Sequence, residues 1–179
     1  MRKSFTREGL ALKQRRIKSQ EAKVRAIGKE VGAEAGISHD WHDNAGYEDA
    51  QRRLELESRI LKGLTEEVAG AHVIDVAEQS AKVMIGNTVK LCLGDEPKEV
   101  TIGAYGESEP NKSLIAYTSP LAQALLGLSE GDQKTSTIGG RSVPIEIEAI
   151  YPPSYRYHQV IAELLAQEGL PTDASAERA

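Results

Sequence analysis

Six consecutive positions, His39-Asp40-Trp41-His42-Asp43-Asn44, hold two carboxylates, two imidazoles and the only tryptophan of the chain. Unpaired charge is costly to bury, so this composition reads as an exposed turn whose side chains reach another molecule. Asp40 and Asp43 stand three apart and in a turn can point the same way. Two carboxylates supply part of the octahedral oxygen shell of Mg²⁺, with waters and phosphate oxygens completing it. They form half a site, and a metal binds weakly there until a second molecule adds ligands. His39 and His42 together with the two aspartates also offer ligand types that zinc accepts. Neighbouring side chains diverge, however, and four ligands so close in sequence rarely meet on one ion. His42 can act as a general base near neutral pH or add positive charge that opposes Mg²⁺. Both histidines can equally be solvated turn residues. Trp41 either stacks on an unpaired nucleic-acid base, worth about 1–3 kcal/mol, or caps the apolar seam of the helices beside it.

Two helices must carry this turn. Thr6 can serve as an N-cap with Glu8 in the first turn, and Leu10, Ile17, Val24 and Val31 recur every seventh residue, predicting a helix over 7–35. Ile27 adds a second seam position, but Lys13 and Gln20 leave others polar. Tyr47, Leu54, Leu61 and Val68, supported by Ala50 and Leu64, predict a second helix over 45–69. Two narrow heptad seams joined by a short turn argue for an antiparallel hairpin, a finger roughly 40 Å long. Gly28, Gly32 and Gly36 either loosen the distal end of the first helix or let the two backbones approach closely, and Gly36 can also be its C-cap.

The remaining composition excludes several classes. No apolar run approaches the ~18 residues of a membrane span, the N-terminus lacks the apolar core of a signal peptide, and a single cysteine, Cys92, excludes an internal disulfide. Cys92 sits in an apolar strand-like run and reads as a buried, inert thiol. These features lead us to expect a cytoplasmic protein. The net charge of −5 hides an asymmetry: residues 1–67 carry 14 Lys and Arg against 12 Asp and Glu, whereas residues 68–179 carry 8 against 15. The first helix is locally basic, with Lys13, Arg15, Arg16, Lys18, Lys23, Arg25 and Lys29. An acidic protein with one basic arm is a poor general nucleic-acid binder, although that arm could lie near a phosphate backbone; each of those residues can also belong to a merely solvated helix face.

Beyond Gly70 the pattern becomes that of short strands, at 73–75, 82–85, 88–93, 100–102, 113–117 and 143–150, separated by turn signals such as Ile85-Gly86-Asn87, Gly94-Asp95-Glu96-Pro97 and Gly139-Gly140. One short helix starts at Ser119-Pro120, serine as N-cap and proline at the first helical position, and ends at Gly127. The fold class is α+β. The expected segments are a coiled-coil finger over 1–72, a sheet domain over 73–151, and an extension over 152–179 with a short helix around Val160–Leu165 and a disordered end over 170–179.

The order of these signals resembles the GreA/GreB family of bacterial transcript-cleavage factors. The resemblance rests on Thr6-Arg7-Glu8-Gly9-Leu10, an acidic turn ending Asp43-Asn44-Ala45-Gly46-Tyr47, Ala71-His72-Val73-Ile74-Asp75, Ile85-Gly86-Asn87-Thr88-Val89, Ser119-Pro120-Leu121-Ala122, Leu126-Gly127 and Gly131-Asp132. It spans roughly residues 5–151 in order, and no single motif carries it. It implies an FKBP-like antiparallel sheet domain that docks at the rim of the RNA polymerase secondary channel, with Ser119, Pro120, Leu121 and Ala122 in the docking surface. It implies a finger that threads the channel, close to the nascent RNA 3′ end, and stimulates the polymerase's own cleavage of backtracked RNA. The family's turn pattern, Asp-x-x-Glu-Asn-Ala-x-Tyr, falls on Asp40, Asp43, Asn44, Ala45 and Tyr47, its two acids helping to bind a Mg²⁺ shared with the polymerase and to orient the attacking water. The implied protein is a monomeric cofactor of the polymerase, not itself an enzyme, without independent sequence-specific DNA binding and without a membrane.

The chain departs from that pattern at Asp43, one methylene shorter than the family's glutamate. A carboxylate displaced by about 1 Å can cost on the order of 10²-fold in rate. His39, Trp41 and His42 are further departures. They open the alternative of a regulator of the same fold that occupies the channel and inhibits the polymerase without promoting cleavage. An FKBP-like domain also raises prolyl isomerisation, which needs an aromatic-rich pocket. Phe5 and Trp41 fall outside 73–151 and leave only Tyr105, Tyr117 and Tyr151 within it, so a binding role fits better. A plain coiled-coil module would need no acids in its turn.

Overall fold

The computed structural model describes residues 3–37 and 45–167. The chain divides into two compact units, one built on Leu10–Ala71 and the other on Ser4–Gly9 together with the chain from His72 on.

The first unit is a helical hairpin of α1 (Arg7–Ile37) and α2 (Ala45–Val68). Its heptad residues form the contact stripe: Ile27 and Ala50 are buried, while Leu10, Ile17, Val24, Val31, Tyr47, Leu54, Leu61, Leu64 and Val68 are half-buried. A pair of helices has no third surface, so most of this seam reaches only half-burial. Polar seam positions find partners across it. Lys13 Nζ meets Glu67 Oε2 at 2.5 Å, Gln20 Nε2 donates to Glu57 Oε2 at 2.7 Å and to the Glu57 carbonyl at 3.0 Å, and Lys23 Nζ meets Glu57 Oε1 at 2.5 Å. With Arg53–Glu30 at 3.2 Å the series falls along α2 as it rises along α1, which defines the antiparallel register.

The second unit opens with β1 (Ser4–Phe5), which pairs in parallel with β2 (His72–Val73). A five-stranded sheet follows, of β3 (Thr88–Leu93), β4 (Glu96–Gly103), β5 (Leu114–Ala116), β6 (Gln133–Ile138) and β7 (Arg141–Tyr151), in the order β5-β4-β3-β7-β6. It is antiparallel except at one edge, where β5 runs parallel to β4. Val89, Leu91, Ile102, Ile145 and Ile147 alternate onto one face, and Ala122, Ala124 and Leu125 of α3 (Pro120–Leu125) pack against them. Gly139 and Gly140, with φ of 60° and 80°, make the two-residue turn between β6 and β7 that places Ile138 opposite Arg141.

Several elements differ from the sequence reading. Lys82–Ile85 is not a strand: Val83 is buried and exchanges backbone hydrogen bonds only with Gly127 and Leu128, and the chain then turns through Gly86 at φ 97°, with the Asn87 Oδ1 accepting from the Met84 N–H at 2.8 Å. The strand β6 is absent from the sequence reading because it is a polar edge strand, exposed along most of its length, with no apolar alternation. Glu96 and Pro97 open β4 and lie outside the turn, which is confined to Gly94 and Asp95. Phe5, placed by sequence in the finger segment 1–72, is fully buried in the second unit, its ring 5.2 Å from that of Tyr105. The helix expected around Val160–Leu165 is α4 (Tyr157–Gln167), which buries Tyr157, Val160, Ile161 and Leu165 at helical spacing. The expected disordered end lies outside the described residues.

A carboxyl group is buried in this unit. Glu107, 4% exposed, accepts from the Ala104 N–H at 2.8 Å, from the Tyr157 hydroxyl at 2.7 Å and from the Thr6 hydroxyl. Thr6 in turn accepts from the Gly9 N–H at 3.1 Å, which makes it the N-cap of α1. Burial pushes the Glu107 pKa upward, against the opposing pull of its three donors.

Stability measurements can check both units. A Cβ at Gly28 or Gly32 would meet nothing within 4 Å, so neither glycine serves a close approach of the helices. Gly28→Ala and Gly32→Ala should each stabilise the hairpin by about 0.5–1 kcal/mol, read as a higher urea midpoint. For Glu107 the folded pKa lies above the ordinary value of 4.5. Its protonated form is therefore the one the fold favours, and that contribution is lost as pH rises through the folded pKa. Glu107→Gln cannot ionise, so denaturation midpoints should shift in favour of the variant as pH rises above 4.5.

Candidate functional site

The seven residues joining Ile37 of α1 to Ala45 of α2 include His39, Asp40, Trp41, His42, Asp43 and Asn44. All six lie outside the described residues. Tyr47, the last position of the turn pattern, is half-buried in the first turn of α2, and its hydroxyl accepts from Gln51 Nε2 at 2.7 Å one helical turn on. Among the described residues no group of three or more His, Cys, Asp or Glu could hold a metal ion.

Charge on the two outer helix faces is arranged differently. On α2 the arginines pair within the helix, Arg52–Glu48 at 3.2 Å, Arg53–Asp49 at 3.0 Å and Arg59–Glu55 at 2.8 Å, each one turn apart, and Arg53 also reaches Glu30 of α1. On α1 the exposed Arg15, Lys18, Arg25 and Lys29 recur on the face opposite the seam, and among the described residues none of them has an ion pair. The basic character read from the sequence thus resolves into a stripe of one sign on one helix.

The Ser119–Ala122 segment opens α3. The Ser119 Oγ accepts from the Ala122 N–H at 3.2 Å, and Pro120 occupies the first turn, where its missing N–H costs nothing. Leu121 is half-buried against the core, Ala122 is fully buried and Pro120 is exposed. The cap thus places Pro120 and one edge of Leu121 on the surface, over a rigid buried base.

Two other features bear on chemistry. The Cys92 thiol donates to Glu148 Oε1 at 3.0 Å, and that bond, followed by burial, pushes its pKa upward, which suppresses the reactive thiolate. A cavity of about 260 Å³ beside it is lined by Gln133, Lys134, Thr135, Pro144 and Glu146, without an aromatic side chain. Of the aromatics that the structure adds to the second unit, Phe5 and Tyr157 are packed inside, while Tyr155 is exposed and stacks on Tyr151 with ring centroids 4.4 Å apart. No helix among the described residues is long and apolar enough to cross a membrane.

Comparison with known proteins finds relatives over most of the chain. A family model described as "Transcription elongation factor, GreA/GreB, C-term" matches residues 78–152. Transcription elongation factor GreA of a Nitratiruptor species is 35% identical over 152 residues, covering 83% of this chain and 88% of that protein. GreA of Desulfovibrio desulfuricans is 36% identical over 135 residues, 74% of this chain and 81% of that protein. Among solved structures, GreA factor homolog 1 (Gfh1) of Thermus thermophilus matches with a TM-score of 0.41 at 20% identity, over 84% of this chain and 99% of that one. The chain belongs to the GreA/GreB family of transcription elongation factors.

The cap on α3 can be tested apart from any partner. Ser119→Ala should cost about 1 kcal/mol of stability, whereas Pro120→Ala, at an exposed position, should stay within about 0.5 kcal/mol of the parent. Urea denaturation of both variants checks this.

Proposed function

We propose that this protein binds bacterial RNA polymerase through its secondary channel and stimulates the polymerase's intrinsic cleavage of backtracked RNA 3′ ends, rescuing arrested elongation complexes. The observation that carries the reading is the family relationship, at 35% identity over 83% of the chain, in a protein whose helical hairpin is joined by residues 38–44 with Asp40 and Asp43 among them. The second unit docks, with Ser119, Pro120 and Leu121 as the accessible part of Ser119–Ala122, and the hairpin enters the channel as a monomer. The α1 stripe of Arg15, Lys18, Arg25 and Lys29 suits a phosphate-rich surrounding.

In this reading Asp40 and Asp43 are catalytic residues in the polymerase's active site, and the protein is a cofactor of that enzyme. Two carboxylates three residues apart are hard oxygen donors and fit a Mg²⁺ that a second protein also holds. When bound, such an ion lowers the pKa of its water and offsets charge developing on the phosphate. The chain's own part is to supply oxygen ligands, to accept hydrogen bonds from the attacking water and so to orient it. Asn44 and Tyr47 modulate the action of the two acids.

Asp43, His39, Trp41 and His42 favour a second reading. A carboxylate one methylene short and imidazoles beside it would let the same protein occupy the channel and inhibit or modulate the polymerase without cleavage.

A backtracked elongation complex carrying 3′-labelled RNA separates the two. Wild type should release short 3′ fragments, and Asp40→Ala/Asp43→Ala should reduce their rate by at least about 10²-fold. No fragments, together with slowed nucleotide addition, would establish the inhibitory reading instead.

A further inference from the structure

The helix α4 lies beyond the family-matched residues 78–152, yet it reaches Glu107, the buried carboxylate of the second unit. Glu107 gathers hydrogen bonds from two distant stretches of chain, through the Thr6 and Tyr157 hydroxyls, and from the Ala104 N–H three residues before it. Each of these groups belongs to the second unit, which includes Ser4–Gly9. Through Thr6, Glu107 supports the N-cap of α1, and it does so at close range, because a Cβ at Gly9 would lie 2.5 Å from its Oε1. The negative end of the carboxyl faces the helix terminus where partial positive charge collects.

On its outer side α4 is fastened by contacts of a different kind. Arg156, the residue before α4, pairs with Glu99 at 2.9 Å, His158 is hydrogen-bonded to Glu78 at 2.6 Å, and Lys112 pairs with Glu163. All are at least partly exposed, and ion pairs of that kind contribute little. An isolated helix of this length is not stable by itself in water, so its seating depends on burying Tyr157, Val160, Ile161 and Leu165. The bond from Tyr157 to Glu107 is buried, where leaving one partner unmet is most costly.

We propose that α4 is a C-terminal strap: Tyr157 is a positioning residue that holds Glu107 against Thr6, so seating α4 tightens the first turn of α1 and releasing it loosens Ser4–Gly9. Lifting the strap removes one of three donors from Glu107 and uncovers it to water. Glu8, the nearest carboxylate on α1, and the Tyr157 hydroxyl are the other titratable groups coupled to it. Local opening of this sort is independent of any polymerase and is a property of the isolated protein.

Hydrogen exchange on the full-length chain, read by peptide mass spectrometry, tests the coupling. Tyr157→Phe keeps the ring and removes only the hydroxyl. It should speed exchange of the Ser4–Gly9 amides by about 2- to 10-fold, the equivalent of one lost buried hydrogen bond, while β3 and β7 keep their wild-type rates. A second variant, Leu165→Ala, weakens the buried seating of α4 without touching Glu107 and should speed the same amides as well. Faster exchange confined to 157–167 in both variants, or a uniform increase across the whole second unit, would overturn the proposal.

Discussion

A two-helix arm has a single apolar stripe and no third surface to bury it against, and this constraint shapes the first unit. Half-buried heptad residues cannot fix register by themselves, since a shift of one heptad would leave a similar stripe. The polar seam positions remove that freedom. Lys13 must meet Glu67, and Gln20 must meet Glu57, at distances of 2.5 and 2.7 Å. Their neighbours Lys23 and Arg53 extend the series toward the far end. Residues 38–44, Asp40 and Asp43 among them, join the two helices that this ladder pairs.

The second unit solves a different problem. Its sheet buries one face against α3, and that face needs little polar support. The ends of the unit are where polar groups are taken inside: Asn87 closes a turn and reaches the Tyr151 carbonyl, while Glu107 ties the N-terminal segment to the loop after β4 and to α4. Buried polar groups of this kind are costly unless every partner is present. They therefore make distant parts of the chain depend on one another, which apolar contacts do less selectively. The exposed Pro120 stands on the opposite kind of support, a short capped helix whose Ala122 and Leu125 are fixed in the core.

What sequence makes legible here is what depends on local periodicity or local hydrogen bonds. The heptads of both helices, the Ser119–Pro120 start of α3 and the Gly139–Gly140 turn all carry their cause within a few residues. Lys13 and Gln20 read as interruptions of the seam because their partners lie 54 and 37 residues away. The strand β6 has no pattern to read, since an edge strand that is polar up to its final Ile138 shows no alternation. Lys82–Ile85 misleads in the other direction: an apolar run fits a strand, but only Val83 is buried. Glu107 sits in a polar loop sequence that looks solvated, and only the fold reveals the hydroxyls of Thr6 and Tyr157 converging on it. In the sequence, Asp40 and Asp43 stand out through composition and family resemblance, and both lie outside the described residues.

In the proposed function, Asp40 and Asp43 complete a metal site they cannot form alone. The Mg²⁺ dependence of cleavage in a backtracked complex, compared between wild type and Asp43→Asn, probes that dependence at its source. If Asp43 supplies a ligand to a shared ion, the neutral variant should need a markedly higher Mg²⁺ concentration for half-maximal cleavage, and added metal should recover part of its rate. An unchanged Mg²⁺ requirement, with cleavage retained by the variant, would contradict the account.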